Sequence, residues 1–319
     1  MRLALIGAGP WASRYAAIMR TMPGVRLAAV VSTRRRQSSF RSPRWVRSLS
    51  DLPAAQIDGA IVATSADSHA RTATHLLDAG IPVLVEKPMT LDARSARRLH
   101  WQARRRGTLL MVAHTHLYSE AFAQLYEALQ VSGTTISTLL GQGGNQGPYR
   151  QNCSALWDYG SHDMAMFLRL VDARPHRMRV RQEHTDAGGV NTFATFVLPA
   201  ESPVTVEMQV GSGFELKQRR LVVQGQPRPV SPGLEVQCAD RAEFVYDDLA
   251  TDKVTLRMPG SPAQALRLEG RRLPLERTIA AFVMALRRGH STHWSARLGV
   301  DVCTALQRCE RLAATSATA

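Results

Sequence analysis

Lys87 is the only lysine in the first 216 residues of the chain, and it stands in Glu86-Lys87-Pro88 at the end of an apolar run. Arginine supplies nearly every other positive charge there. An arginine stays protonated at any working pH, whereas a partly buried lysine can shift its pKa and exchange a proton. About 70 residues further on, Asp158-Tyr159-Gly160-Ser161-His162-Asp163 sets a carboxylate and an imidazole four positions apart. On a helix such a pair shares one face. The imidazole titrates near neutrality, and a lysine ammonium stabilises a developing alkoxide. Lys87 is therefore the first residue to suspect of chemistry, and Asp158 and His162 can both point into one cleft.

The elements that must position them follow from periodicity. Arg2 to Gly7, Val25 to Ser32, Ile57 to Thr64, Ile81 to Glu86 and Leu109 to His114 read as strands, and the segments near Trp11 to Met22, Ser68 to Ala79 and Asp92 to Arg106 as helices. That alternation predicts an α/β fold, a Rossmann-type doubly wound parallel sheet. Asp92 suits a helix N-cap, so Glu86-Lys87-Pro88 lies on a loop at the carboxyl edge of the sheet, where open α/β folds bind ligands. After a helix near Ser119 to Leu129, strand Thr135 to Leu140 leads into the glycine-rich Gly141 to Gly147, and a helix follows near Gly160 to Val171. Strands dominate from Arg177 to about Met258, and helices close the chain at Leu275 to Arg288 and Arg297 to Ala313. This predicts a nucleotide-binding domain over 1–117 and an α+β domain with a largely antiparallel sheet over 118–319, the latter expected to bind substrate and to dimerise.

Gly7-Ala8-Gly9-Pro10-Trp11-Ala12 follows the first strand and opens a helix, the context in which G-x-G-x-x-G/A binds a dinucleotide. Gly7 serves the tight turn, Gly9 the approach of pyrophosphate, and Ala12 the packing of helix on strand; Pro10 begins the helix, and Trp11 either covers the cofactor or packs at the helix start. The second strand ends at Ser32-Thr33-Arg34-Arg35-Arg36 rather than at an acid. Hydroxyls and guanidinium groups suit a 2'-phosphate, so NADP(H) is expected over NAD(H).

Composition narrows the classes. The 319 residues are 45% hydrophobic and 21% charged, as in soluble globular proteins, which excludes disordered and collagen-like classes. The apolar start stops at Gly7, and no stretch approaches the roughly 20 apolar residues that span a bilayer, so a cytoplasmic location is expected. A net charge of +14 raises anionic small molecules, membranes and nucleic acid as partners, but Arg34 to Arg36 and Arg104 to Arg106 lack interleaved aromatics and do not favour nucleic acid. Cys153, Cys238, Cys303 and Cys309 show no metal or disulfide spacing, and neither zinc nor another metal is expected.

Taken together, Gly7-x-Gly9-x-x-Ala12, Ala63-Thr64-Ser65 followed by His69, Glu86-Lys87-Pro88, and Asp158 to Asp163 make the chain resemble the Gfo/Idh/MocA oxidoreductases over almost its whole length. The resemblance implies that Thr64, Ser65, His69, Glu86, Lys87 and Pro88 line the cofactor site. It implies that Lys87 contacts the substrate oxygen and the nicotinamide ribose. His162 would then be the general acid/base, with Asp158 orienting substrate or assisting it. The implied substrate is a sugar, nucleotide sugar or cyclitol, or an imine, and an NADP(H) enzyme would act as a reductase in biosynthesis. Two rival readings are a cofactor-dependent glycoside hydrolase of the same family and a non-enzymatic NADP-responsive binding protein. Further substrate candidates are His116 and Tyr118 at the domain junction, Tyr149 and Arg150 beyond a glycine segment read as a flexible loop, and Trp157 and Tyr159 beside Asp158. A homo-oligomer, dimer or tetramer, is expected.

Overall fold

The computed structural model describes residues 1–34, 43–147, 152–227, 241–270 and 272–316. It forms two compact units, one of Met1–Thr115 with Leu273–Thr304 and the other of His116–Arg272 with Ala305–Ala319.

The first unit is built on six parallel strands: β1 (Arg2–Ile6), β2 (Arg26–Val31), β3 (Arg44–Val46), β4 (Gly59–Val62), β5 (Val83–Glu86) and β6 (Leu110–Ala113). Their order, β3-β2-β1-β4-β5-β6, is that of a dinucleotide-binding sheet. Five of the strands match the sequence expectation; β3 is too short for its periodicity to be read. Helices α1 (Pro10–Thr21), α2 (Ala66–Asp78) and α3 (Ala93–Arg106) make the crossovers. Helix α3 starts where Asp92 accepts a 2.7 Å bond from Ser95 N and stops at Gly107, whose left-handed φ of 59° the absence of a Cβ permits. Every residue of β4, β5 and β6 is buried, which requires cover on both faces.

Part of that cover comes from the far end of the chain. Helix α6 (Pro274–Arg287) lays Phe282 and Leu286 against Gly59, where a Cβ would lie only 3.0 Å from them. Within helix α7 (Trp294–Ser316), Gly299 fits against Met89 and Val112, and the Ser295 hydroxyl accepts from Val112 N at 3.1 Å. Leu273–Thr304 thus belongs to the first unit, whereas the sequence reading assigns all of 118–319 to the second. Sequence periodicity shows that these helices have an apolar face but not which sheet that face covers.

The second unit holds helix α4 (Glu120–Val131), β7 (Thr135–Gln146), helix α5 (Ala155–Leu170) and seven further strands: β8 (His176–His184), β9 (Val190–Leu198), β10 (Val204–Gly211), β11 (Gly213–Gln226), β12 (Ala242–Asp247), β13 (Val254–Arg257) and β14 (Gln264–Ala265). The sheet order is β14-β13-β12-β11-β7-β10-β9-β8, antiparallel throughout except where β10 runs parallel to β7. The glycine-rich stretch expected to be a loop is the second half of β7. Its glycines admit neighbours that a Cβ would strike: Phe167 at Gly141, the Asp163 and Arg219 side chains at Gly143, and Phe214 at Gly144. These glycines reflect close packing over a strand rather than chain freedom. Among the described residues, no helix is long and apolar enough to cross a membrane.

Candidate functional site

The nucleotide-binding edge of the first unit is set by two glycines with different duties. Gly7 has φ +112°, and a Cβ there would lie 2.7 Å from Ala63 O, so the turn out of β1 excludes any larger residue. Gly9, in extended backbone at the N-cap of α1, has nothing among the described residues within 4 Å of where its Cβ would stand. No side chain caps that helix, and Pro10 begins it. The result is an open cradle of backbone donors with the positive end of the helix dipole behind it, a fit for a pyrophosphate. Ala12, fully buried, lets α1 close on the sheet. Trp11 is 38% exposed at the cradle, with the Arg14 guanidinium 4.6 Å from its ring centroid.

At the end of β2, Ser32 Oγ accepts from Arg34 N at 3.1 Å, and Thr33 and Arg34 are exposed. Hydroxyls and a guanidinium group stand there with no carboxylate at positions 32 to 34. Arg35 and Arg36 lie outside the described residues.

Loops after β4 and β5 are tied together by His69. Its Nδ1 donates to Pro88 O at 2.8 Å, and its Nε2 lies 3.2 Å from Thr64 O. Burial lowers its pKa, the two carbonyl contacts oppose that shift, and the Lys87 charge adds to it. Thr64 Oγ1 accepts from Ser68 Oγ at 2.6 Å, and Ser65 is the N-cap of α2. Glu86, buried, accepts from Tyr15 Oη at 2.7 Å and from Lys87 N at 3.1 Å. Glu86 therefore fixes the loop from beneath. The Lys87–Pro88 peptide is cis. Pro88 is buried and Lys87 half-buried at this carboxyl edge. His114, at the end of β6, is 1% exposed, and neither ring nitrogen has a hydrogen-bond partner among the described residues. Burial first, then the Lys87 charge, lowers its pKa to about 3.

In the second unit, Ser154 caps α5 and starts it at Ala155, five residues ahead of the Gly160 expected from sequence. Asp158 and His162 therefore fall within the first two turns. Asp163 is fully buried and paired with Arg219 of β11, which also reaches Tyr159 O at 3.5 Å. This ion pair bolts α5 to the sheet. Trp157 is buried and donates to Glu310 Oε1 at 3.1 Å, while Tyr159 Oη donates to Gly147 O at 3.0 Å. Asp158 and Tyr159 line a cavity of about 410 Å³ with Gln182, His184, Ser212 and Glu310. His116 packs edge-on against His162, with centroids 4.6 Å apart, and Tyr118 stands half-buried on the same 3-10 turn. Tyr149 and Arg150 lie outside the described residues. Sequence reasoning missed Arg219, whose importance comes only from strand pairing; nothing local marks it.

A parallel 3-2-1-4-5-6 sheet with an open glycine cradle, joined in one chain to a mostly antiparallel sheet, defines a two-domain dinucleotide-binding protein. Residues 1–114 match the family model described as "Oxidoreductase family, NAD-binding Rossmann fold" (GFO_IDH_MocA). Among curated proteins, 4-carboxy-2-hydroxymuconate-6-semialdehyde dehydrogenase of Sphingobium sp. (strain NBRC 103272 / SYK-6) is 24% identical over 135 residues, 40% of this chain and 43% of that protein. The chain spans less than half the length of the curated relatives it matches, 43% and 45%. Two solved structures are similar from end to end. A protein of Magnetospirillum magnetotacticum MS-1 assigned as an oxidoreductase is 28% identical, with a TM-score of 0.80 over 97% of this chain and 99% of that one. A 3-ketoreductase from Actinomadura kijaniata, in complex with TDP-benzene and NADP, is 20% identical with a TM-score of 0.79, covering 98% of each chain; that likeness speaks for the fold alone.

Proposed function

We propose that the chain is an NADP(H)-dependent oxidoreductase acting at a hydroxyl or carbonyl carbon of a sugar, nucleotide sugar or cyclitol, or at an imine, and working as a reductase in a biosynthetic pathway. The observation that carries this reading is the Gly9 cradle on an uncapped helix, paired with Ser32, Thr33 and Arg34 where an NAD-binding fold places an acid. When bound, the nicotinamide supplies the hydride. Gly7, Gly9 and Pro10 shape the phosphate cradle, Ser32 to Arg34 receive the 2'-phosphate, and the loop held by His69, Glu86 and Pro88 presents the Lys87 ammonium. Lys87 stabilises the substrate oxygen as charge develops, His162 gives or takes its proton, and Asp158 orients the substrate hydroxyl. The hydroxyl, amide, imidazole and carboxylate groups around the 410 Å³ cavity suit a polyhydroxylated group.

The test is a fluorescence titration of the purified protein with NADPH and NADH. The wild type should prefer NADPH, and Ser32→Asp should reverse the preference by tenfold or more. A wild type that prefers NADH, or a Ser32→Asp variant with unchanged preference, would overturn the cofactor assignment. In a panel of keto-sugars and imines, Lys87→Met and His162→Gln should each lower kcat by roughly 10²- to 10⁴-fold.

A further inference from the structure

Helix α3 turns a strongly basic face outward. Its 14 residues include Arg94, Arg97, Arg98, Arg104, Arg105 and Arg106 and no acid. Ala93, Ala96, Leu99 and Ala103 form its buried side. At about 3.6 residues per turn, Trp101 stands at the apex of the opposite side, and Arg94, Arg97, Arg98, Arg104 and Arg105 all fall within about 60° of it, along about 17 Å of helix. Those five arginines are exposed. Trp101 is 57% exposed, and the Arg105 guanidinium lies 4.6 Å from its ring centroid.

Nearby acids do not neutralise this face. Asp78 of α2 takes the sixth arginine, Arg106, at 2.7 Å, and Asp92 caps the helix by accepting from Ser95 N. Asp301 of α7, which acts on His100 of α3 together with Arg297, lies 3.9 Å from Arg297 itself. Among the described residues, none of the five arginines is paired with a carboxylate. An arginine keeps its charge at any working pH, and Arg94 stands one turn from both Arg97 and Arg98, a like-charge spacing that works against the helix. An anionic surface laid over α3 relieves that repulsion.

The shape of the face selects among anionic partners. Single-stranded nucleic acid is held in a groove by successive stacking aromatics, whereas this face is convex, offers one aromatic, and has Arg105 over that ring. A second copy would bring the same charges against these. A bilayer with anionic headgroups is broad and yielding: guanidinium groups around the apex reach lipid phosphates while the indole enters the headgroup layer, where tryptophan is favoured. The arginine stems permit this, since they carry their charge away from apolar surface.

We propose that α3 docks the first unit on an anionic lipid bilayer, with Trp101 in the headgroup layer and Arg94, Arg97, Arg98, Arg104 and Arg105 on the lipid phosphates. The chain then lies on the membrane and does not span it. Each arginine held near such a surface contributes a factor of about five in partitioning. This proposal is independent of the oxidoreductase reading.

The test is sedimentation of the full chain with vesicles of phosphatidylcholine, alone or with about 30% phosphatidylglycerol. Binding to the anionic vesicles should exceed binding to the neutral ones by tenfold or more and should weaken as salt rises. Brominated lipids should quench tryptophan fluorescence in the wild type and much less in Trp101→Phe. The variant Arg94→Gln/Arg98→Gln/Arg105→Gln should weaken binding roughly 100-fold, and glutamine keeps the helix propensity of arginine, so the fold is retained. Arg177→Gln/Arg179→Gln/Arg181→Gln removes the same charge from exposed positions of β8 in the second unit and should cost no more than about threefold. Equal losses in the two triple variants would assign binding to net charge and overturn the proposal. Failure to bind anionic vesicles would also overturn it, and a gel shift of RNA or duplex DNA that the α3 variant abolishes would then assign the face to nucleic acid.

Discussion

A methyl group added at Gly7 and one added at Gly9 should have opposite consequences. At Gly7 the backbone has φ +112°, and the new carbon would press on Ala63 O, so Gly7→Ala should cost stability, on the order of 1 to 3 kcal/mol. At Gly9 the backbone is extended and the space open, so Gly9→Ala should leave stability within about 0.5 kcal/mol. Yet Gly9→Ala should weaken NADPH binding tenfold or more by filling the cradle. Thermal unfolding read beside a binding titration separates the two, and equal loss of stability in both variants would show that Gly9 is merely structural. Both glycines were legible in the sequence because a short-range motif encodes their geometry. The partners of Glu86 and His69 were not: each is fixed by a bond to a residue that only folding brings near, Tyr15 for Glu86 and the Pro88 carbonyl for His69.

At the scale of elements, α5 is placed by its pairing with β11 across β7. Arg219→Met would leave the fully buried Asp163 carboxylate without its cation, and the expected loss in chemical denaturation is roughly 3 to 5 kcal/mol. The double variant Asp163→Leu/Arg219→Met removes both charges and should recover most of that loss. A double variant as unstable as the single one would assign the effect to packing instead. The sequence shows why this arrangement was half visible. The spacing of Asp158 and His162 indicates a shared helix face, and the alternation in β8 to β13 indicates strands. Gly141 to Gly147 misleads because glycine has the same composition in a mobile loop and in a strand crowded by Phe167, Arg219 and Phe214.

Over the whole molecule, buried neutral histidines set a limit on acid tolerance. Burial lowers the pKa of His114 to about 3 and of His293 to about 4 from 6.5, and lowers His69 and His100 as well. The unfolded chain therefore binds more protons than the native one below pH 6.5, so stability is present above that value and drains away as pH falls toward 4. Denaturation midpoints should fall across this window, and His114→Leu, whatever its offset at pH 8, should show a shallower slope between pH 6.5 and 4. An unaltered slope would mean that His114 is protonated in the native state. Domain composition was the least legible property, since the chain leaves the first unit at Thr115 and returns to it for Leu273–Thr304. That return bears on how the protein is made. While a ribosome is still synthesising the second sheet, the parallel sheet lacks the helices that cover Gly59, Met89 and Val112. The first unit must then wait in partly exposed form until α7 emerges. A chain cut at residue 117 should be a client of chaperones rather than a free-standing nucleotide-binding domain.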